Sequence, residues 1–223
     1  MNLSDLRTLT ASFAEDPSQT KFSPTKYNDA INKGNQQFAM DSKALYGDFP
    51  ITVVVGTAQY SLPTDFMVEK EVWLNGIELK PISRATLGKI KTGDRWDDDT
   101  GTPEYYIIDP EVARQTLTLY PKPDNIDNGS SLVLTYYPFP STLTADADIP
   151  LNGSSLMYQF HTAIAAYAAW MLFNYLQPTD TIQVKKSELM KIYTTKITEA
   201  IQTFGNTKSE PLVWRMLTDR QSC

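Results

Sequence analysis

The stretch from Ser155 to Leu176, SLMYQFHTAIAAYAAWMLFNYL, limits what this chain can fold into more than any other. It contains no Lys, Arg, Asp or Glu and is the longest apolar run in the sequence. Its length would suit a membrane span. Its composition points elsewhere: Gln159, His161, Thr162 and Asn174 interrupt it, and much of its apolar character comes from Ala and from Tyr and Trp, whose tips are polar. No Lys or Arg stands close to either end as an interfacial anchor, the nearest being Lys122 and Lys185. The run therefore reads as a central helix buried in a soluble protein, over 155–176, ending before Pro178 because a residue preceding proline is driven out of helical geometry. Its Ala residues let a second element approach closely, and its rings supply buried area.

Helical periodicity flanks this run on both sides. Leu3, Leu6, Thr10 and Phe13 mark one face of a short helix capped by Asn2 or Ser4. Ser23-Pro24 is a start signal, Ser as N-cap and Pro in the first turn, and Tyr27, Ile31, Gly34 and Phe38 follow at helical spacing. The spacing predicts a helix over 24–46 with Gly47 as its stop. After the central run, Thr179-Asp180 caps a last helix whose stripe is Leu189, Tyr193, Ile197, Ala200/Ile201 and Phe204, with Gly205-Asn206 ending it.

Between Phe49 and Pro140 the period changes to that of strands. β-Branched and aromatic runs are punctuated by Gly56, Pro63, Asn75-Gly76 and Pro81. Asn75-Gly76, flanked by Val72/Leu74 and Ile77/Leu79, predicts a hairpin with a two-residue turn. EYYIID, QTLTLYPKP and SLVLTYYPFP give further strands, Ala85–Lys91 a short helix or turn, and Gly93–Pro103 a polar loop. Several short strands at this spacing predict a small antiparallel sandwich or barrel.

The fold class is therefore α+β: an antiparallel helical bundle with an inserted antiparallel β-domain and an extended C-terminal tail. The expected domains are 1–48 (first bundle helices), 49–150 (β-domain), 151–206 (remaining bundle helices) and 207–223 (tail). An apolar fraction of 41% is ordinary for a globular protein.

The residues of chemistry are sparse. A net charge of −6 argues against a general nucleic-acid-binding surface. The one cysteine, Cys223, allows no intrachain disulfide, which fits a reducing compartment. The N-terminus lacks a basic segment followed by an apolar one, so no signal peptide is expected. The one histidine, His161, lies inside the apolar run with no G-x-S-x-G motif to serve, and reads as a core residue rather than a catalyst. Asp97, Asp98 and Asp99, and the turn DNIDNG at Asp124–Gly129, fail the calcium-loop template: Gly101 and Ile126 fall at ligand positions and the terminal Glu is missing. No GxxxxGK[ST] loop exists. No cofactor, metal or catalytic residue is expected, and the chain does not read as an enzyme. Tyr60, Phe66, Trp73, Trp96, Tyr105, Tyr106, Tyr120, Tyr136 and Tyr137 leave open a sugar-stacking face, hence a carbohydrate-binding or tail-fibre-like module, although rings at strand spacing are usually core and cross-strand pairs. A hydrolase or lysin is the third class. The tail segment Pro211, Leu212, Val213, Trp214, Arg215, Met216, Leu217 is apolar after the last helix has ended, and either folds back or docks on a partner, Trp and Arg being common interface anchors.

The order of punctuation carries a resemblance. Tyr27-Asn28-Asp29-Ala30-Ile31-Asn32, then Tyr60-x-Leu62-Pro63-x-Asp65-Phe66, Val72-x-Leu74-Asn75-Gly76, Trp96 with Gly101-Thr102-Pro103-x-Tyr105-Tyr106, Leu117-x-Leu119-Tyr120-Pro121-x-Pro123 and Leu134-x-Tyr136-Tyr137-Pro138 resemble, in that order, the head-to-tail adaptor (connector, or neck) proteins of tailed bacteriophages. The resemblance covers about residues 3 to 205. It implies a structural virion protein at the head–tail junction, assembled in the host cytoplasm. It further implies a homo-oligomeric ring, usually of twelve copies, under the portal protein, bridging it to tail or nozzle proteins and continuing the DNA channel. It implies no catalytic residues and no membrane partner, and it assigns Pro211–Leu217 as the portal-docking segment. A channel through which DNA slides should repel phosphate, so some of Asp94, Asp97, Asp98, Asp99, Asp146 and Asp148 are expected to line it.

Overall fold

The computed structural model describes residues 1–90, 98–109, 115–125 and 127–204. The chain divides into two compact units, one of Met1–Leu45 with Phe139–Cys223 and one of Tyr46–Pro138, so the second is inserted between the two halves of the first. The fold is α+β, as the periodicity predicts.

The first unit is helical. Helix α1 (Leu3–Phe13) starts with a reciprocal cap: Asn2 Oδ1 accepts from Asp5 N–H, and Asp5 Oδ2 accepts from Asn2 N–H. Helix α2 (Pro24–Ser42) begins at the expected Ser23 cap but ends earlier than expected. Lys43 adopts the left-handed conformation (φ 48°) and its N–H bonds the Ala39 carbonyl, which closes the helix four residues before Gly47. Gly47 instead opens a strand.

The central run is the second correction. Ser155–Phe160 is a 3₁₀ segment, and the α-helix α4 spans only His161–Phe173. Met157 N–H bonds Ser154 O, and His161 N–H bonds Tyr158 O, the three-residue closure of 3₁₀ geometry. The buried residues follow the same period, Met157 and Phe160, while Leu156 and Tyr158 point outward. Helix α4 is buried nearly all round, because α1, α2 and α5 (Asp180–Phe204) all pack on it. Its Ala-rich surface permits that crowding, and α2 comes close at Gly34, where a Cβ would stand 2.8 Å from the Ile164 carbonyl oxygen. Helix α5 buries Leu189, Tyr193, Ile197 and Ala200, the stripe expected of it, and the Thr179 hydroxyl caps its first turn by accepting from Ile182 N–H.

Two asparagines of α2 hold the segment that returns to the bundle. Asn32 donates to the Leu143 carbonyl at 3.0 Å and accepts from its N–H at 2.8 Å. Asn35, 1% exposed, accepts from Leu151 N–H at 3.0 Å and donates to the Ser141 carbonyl at 3.4 Å. Each amide satisfies a donor and an acceptor of backbone that has no ladder of its own.

The second unit holds two four-stranded sheets. The first has the order β1 (Gly47–Thr52), β8 (Ser131–Pro138), β3 (Phe66–Leu74), β4 (Ile77–Glu78), all antiparallel. The second runs β2 (Gln59–Ser61), β7 (Thr116–Tyr120), β6 (Tyr105–Asp109), β5 (Lys80–Pro81). Its β5–β6 pairing is parallel, so the unit is not wholly antiparallel as expected. The predicted hairpin forms: Leu74 faces Ile77 across Asn75 (φ 50°) and Gly76 (φ 80°), the left-handed pair of a type I′ turn. The sheets share one core, with Val72, Leu74, Leu132 and Leu134 from the first against Tyr106, Leu117 and Leu119 from the second. Thr118 is buried too, against a simple alternation of Leu in and Thr out, because helix α3 (Arg84–Ile90) covers the other face of this sheet, placing Leu87 against Ile107 and Tyr120. Strand β1 is an edge, and its outward positions alternate Asp48, Pro50, Thr52, since Val53 N–H points to Ser130 of the β8 side. Pro50 thus removes the central donor that a pairing strand would use, a natural guard on an edge.

Candidate functional site

His161 is fully buried at the start of α4, with the Tyr158 ring edge-on at 5.2 Å. Among the described residues, neither ring nitrogen has a hydrogen-bond partner within bonding geometry, the Met1 backbone contributing only to the ring's electrostatics. Burial pushes the imidazole down to about 4, and the chain's amino terminus adds to the effect. A neutral, unpartnered ring of this kind has neither a nucleophile to activate nor a carboxylate to orient it. Among the described residues, no group of three or more His, Cys, Asp or Glu is placed to hold a metal ion, and no helix is long and apolar enough to cross a membrane.

The sequence-predicted acids fall in different units. Asp98 and Asp99 belong to the β-unit, and Asp146 and Asp148 to the helical one. Asp99 accepts from the Tyr120 hydroxyl at 2.6 Å, and its carbonyl accepts from Lys122 N–H. Asp98 is exposed. Asp148 accepts from the Thr144 and Ala145 N–H groups at 2.7 and 2.8 Å, and these bonds hold its carboxyl below the usual range. Asp146 is 71% exposed at its side chain and pairs with Arg7 at 2.9 Å. The carbonyls of Asp146 and Asp148 accept from Ser4 and Leu3, so this acidic loop closes the first turn of α1. Asp94, Asp97 and Pro211–Leu217 lie outside the described residues.

A groove of about 390 Å³ lies between β3, β5 and β6, lined in part by Glu69, Ile82, Arg84, Tyr106 and Asp109. Arg84 pairs with Asp109 at 3.3 Å. Burial, with Glu69 and Glu78 nearby, pushes the Tyr106 phenol up to about 12, so it stays protonated near neutral pH.

Two surface clusters that the sequence reading did not assemble, although it named the rings of Trp73 and Tyr137, stand apart in character. The first is on the outer face of the first sheet. Alternation turns Val72, Leu74, Leu132 and Leu134 to the core and leaves Trp73, Glu71, Thr135 and Asp48 on the opposite face. Asp48, Thr135 and Glu71 lie in one row across three strands, and Trp73 stands beside Glu78. The Thr135 hydroxyl donates to Asp48 Oδ1 at 2.7 Å, and the Trp73 indole donates to Glu71 Oε2 at 3.1 Å. Burial raises the Tyr137 phenol, and Glu71 and Tyr46 add to the shift, which places both near that ring. Lys70 lies over the Tyr46 ring at 4.4 Å. Glu71 and Glu78 thus flank the indole, with Asp48 in the adjoining row and Lys70 over the Tyr46 ring.

The second cluster is on the helical unit. Lys26 lies over the Tyr175 ring at 5.2 Å, and Tyr175 is 60% exposed. The adjacent Asn174 accepts from Lys186 Nζ at 2.7 Å, and Lys186 lies over the Trp170 ring at 5.6 Å. Lys185, next to it, is shared between Glu15 and Glu188 at 3.7 and 3.4 Å. The signal for both clusters was present in the sequence, as the polar half of the strand alternation and the polar flank of α5, but it is legible only once pairing brings the rows together.

No curated protein matches the chain. The model of the SU10 adaptor protein family matches residues 1–215, and the chain belongs to that family.

Proposed function

We propose that this phage adaptor protein works as a head-to-tail adaptor: a ring, usually of twelve copies in the proteins it resembles, seated under the portal protein, bridging it to tail or nozzle proteins and continuing the DNA channel. The family match over nearly the whole chain carries this reading. It is supported by the ordered strand-and-turn motifs read from the sequence. In this account the chain is a virion component assembled in the host cytoplasm. The helical unit (Met1–Leu45 with the chain from Phe139 on) and the inserted β-unit (Tyr46–Pro138), whose end falls at Pro138 rather than at the expected residue 150, form the ring, and residues 207–223 dock it. Within that tail, Pro211, Leu212, Val213, Trp214, Arg215, Met216 and Leu217 anchor to the portal, with Trp214 and Arg215 as the main contacts.

DNA slides through without being held. The net charge of −6 favours a lumen that repels phosphate. Of the candidate acids within the described residues, Asp98 is exposed and suits that role best, since Asp99, Asp146 and Asp148 are engaged in local bonds; Asp94 and Asp97 remain candidates from the sequence alone. A ring whose lumen wall is dominated by Lys and Arg would contradict it.

Deletion of 207–223 tests the anchor. The truncated chain is expected to stay folded, with unchanged circular dichroism, and to stop co-sedimenting with portal particles. Portal binding that survives the deletion intact overturns the anchor assignment.

A further inference from the structure

We propose that the two surface clusters are the halves of one contact between copies of this chain: the acidic face around Trp73 on the β-unit of one copy receives the basic cluster around Tyr175 on the helical unit of the next. This rests on the ring reading above and assigns the surfaces that would build the ring.

Charge complementarity commits the acidic face to this occupant. Asp48, Glu71 and Glu78 outnumber Lys70 on the acidic face, and on the other cluster Lys26 and Lys186 sit over exposed or half-exposed rings while the two glutamates there, Glu15 and Glu188, are taken up by Lys185. Both sides are pre-oriented. Glu71 is held by the Trp73 indole and Asp48 by Thr135, so each carboxylate keeps a second oxygen for an incoming ammonium. Lys186 is held by Asn174, which fixes its reach. Little side-chain freedom is then lost on docking. Rings on both sides supply the apolar contact that charge pairs alone lack: Trp73 and Tyr137 on one, Trp170 and Tyr175 on the other.

The two clusters belong to different units and are unlike each other, so the contact is heterologous. A heterologous contact repeats from copy to copy and closes into a ring when its rotation permits. The same charges discourage the wrong pairings, acidic face on acidic face or lysine cluster on lysine cluster.

The test mixes ¹⁵N-labelled and unlabelled full-length chain over a range of concentrations and in the presence of the portal. A zero-length carbodiimide then joins carboxylates to amines in direct contact. The expected products are mixed-isotope peptides linking Glu71, Asp48 or Glu78 to Lys26 or Lys186. Glu71→Lys and Lys186→Glu should each weaken self-association roughly tenfold, the loss of one interfacial charge pair, and the double variant should regain it. Restoration distinguishes a direct pairing from simple loss of a fold. Mixed-isotope links confined to other residues, no mixed-isotope links at any concentration, or a double variant as weak as the singles overturns the inference. A ring seen by electron microscopy without these links overturns this interface and leaves the adaptor reading standing. The links appearing in open chains without any ring support the interface and count against the ring.

Discussion

The Tyr193 hydroxyl donates to Asp41 Oδ2 at 2.6 Å, joining the middle of α5 to the last turn of α2. Burial raises the phenol far above its ordinary range, and the charge and hydrogen bond of Asp41 raise it further, so the proton stays on tyrosine. Gln37 donates to the other oxygen at 2.8 Å. Three more aspartates accept from tyrosine in the same way: Asp16 from Tyr27 at 2.8 Å, Asp65 from Tyr136 at 2.9 Å and Asp99 from Tyr120 at 2.6 Å. Each fixes a large ring while satisfying its polar tip, which lets aromatic residues fill cores without an orphaned hydroxyl.

Tyr193→Phe removes the first of these bonds and little volume. The expected loss is about 2 kcal/mol, the value of a hydrogen bond to a charged group. Urea unfolding measures it; an unchanged midpoint would mean that Gln37 alone satisfies Asp41.

Gly34→Ala tests this close helix contact. Alanine favours a helix by about 1 kcal/mol over glycine. Here its Cβ would meet the Ile164 carbonyl oxygen at 2.8 Å, a backbone atom that can yield only if α4 moves. The net effect is expected to be destabilising by about 1–3 kcal/mol, the range for overpacking. A stabilised variant would show that α2 and α4 separate freely.

Asn35→Ala strands the Leu151 N–H in a buried site and removes a longer bond to the carbonyl of exposed Ser141. The loss is expected at about 2–3 kcal/mol, with faster amide exchange at Leu151. Protection at Leu151 equal to that of the parent protein contradicts the role given to this side chain.

His161 predicts an acid-side pH dependence. Its folded value of about 4 lies below its ordinary 6.5, so between these values the unfolded chain binds the proton first. Stability therefore falls as pH drops from 6.5 through 4, by about 3 kcal/mol in all. Asp16 works in a lower window. Burial alone would raise its carboxyl, but bonds from Thr20, Tyr27 and Lys21 outweigh that and lower it, so its contribution is lost below the ordinary 3.8. Unfolding midpoints of the parent and of His161→Gln, measured across pH 4 to 6.5, separate the two. The variant should lose the slope in that window, and an equal slope would place the titration elsewhere.

Much of the fold was legible because local signals agreed with tertiary demands. Ser23-Pro24, Asn75-Gly76 and Thr179-Asp180 did what their chemistry prescribes, and the α5 stripe is the one observed. The misreadings have a common cause. Ser155–Phe160 is apolar enough for helix, and the tighter 3₁₀ turn shows only in its three-residue backbone hydrogen bonds, which residue type does not signal. Lys43 ended α2 through a left-handed cap that lysine does not advertise. Thr118 is buried although it alternates with Leu117 and Leu119, because the covering helix α3 comes from elsewhere in the chain. The surface clusters were harder still. Asp48, Glu71 and Trp73 come from two strands, joined through Thr135 of a third, and no spacing in the sequence relates them.

The adaptor reading is tested most directly by electron microscopy of the purified chain mixed with its portal. Two-dimensional class averages are expected to show a closed ring of this chain stacked coaxially on the portal, with an open central channel. Portal particles that remain bare at saturating concentrations of a folded chain, with no ring of any size, would contradict the account.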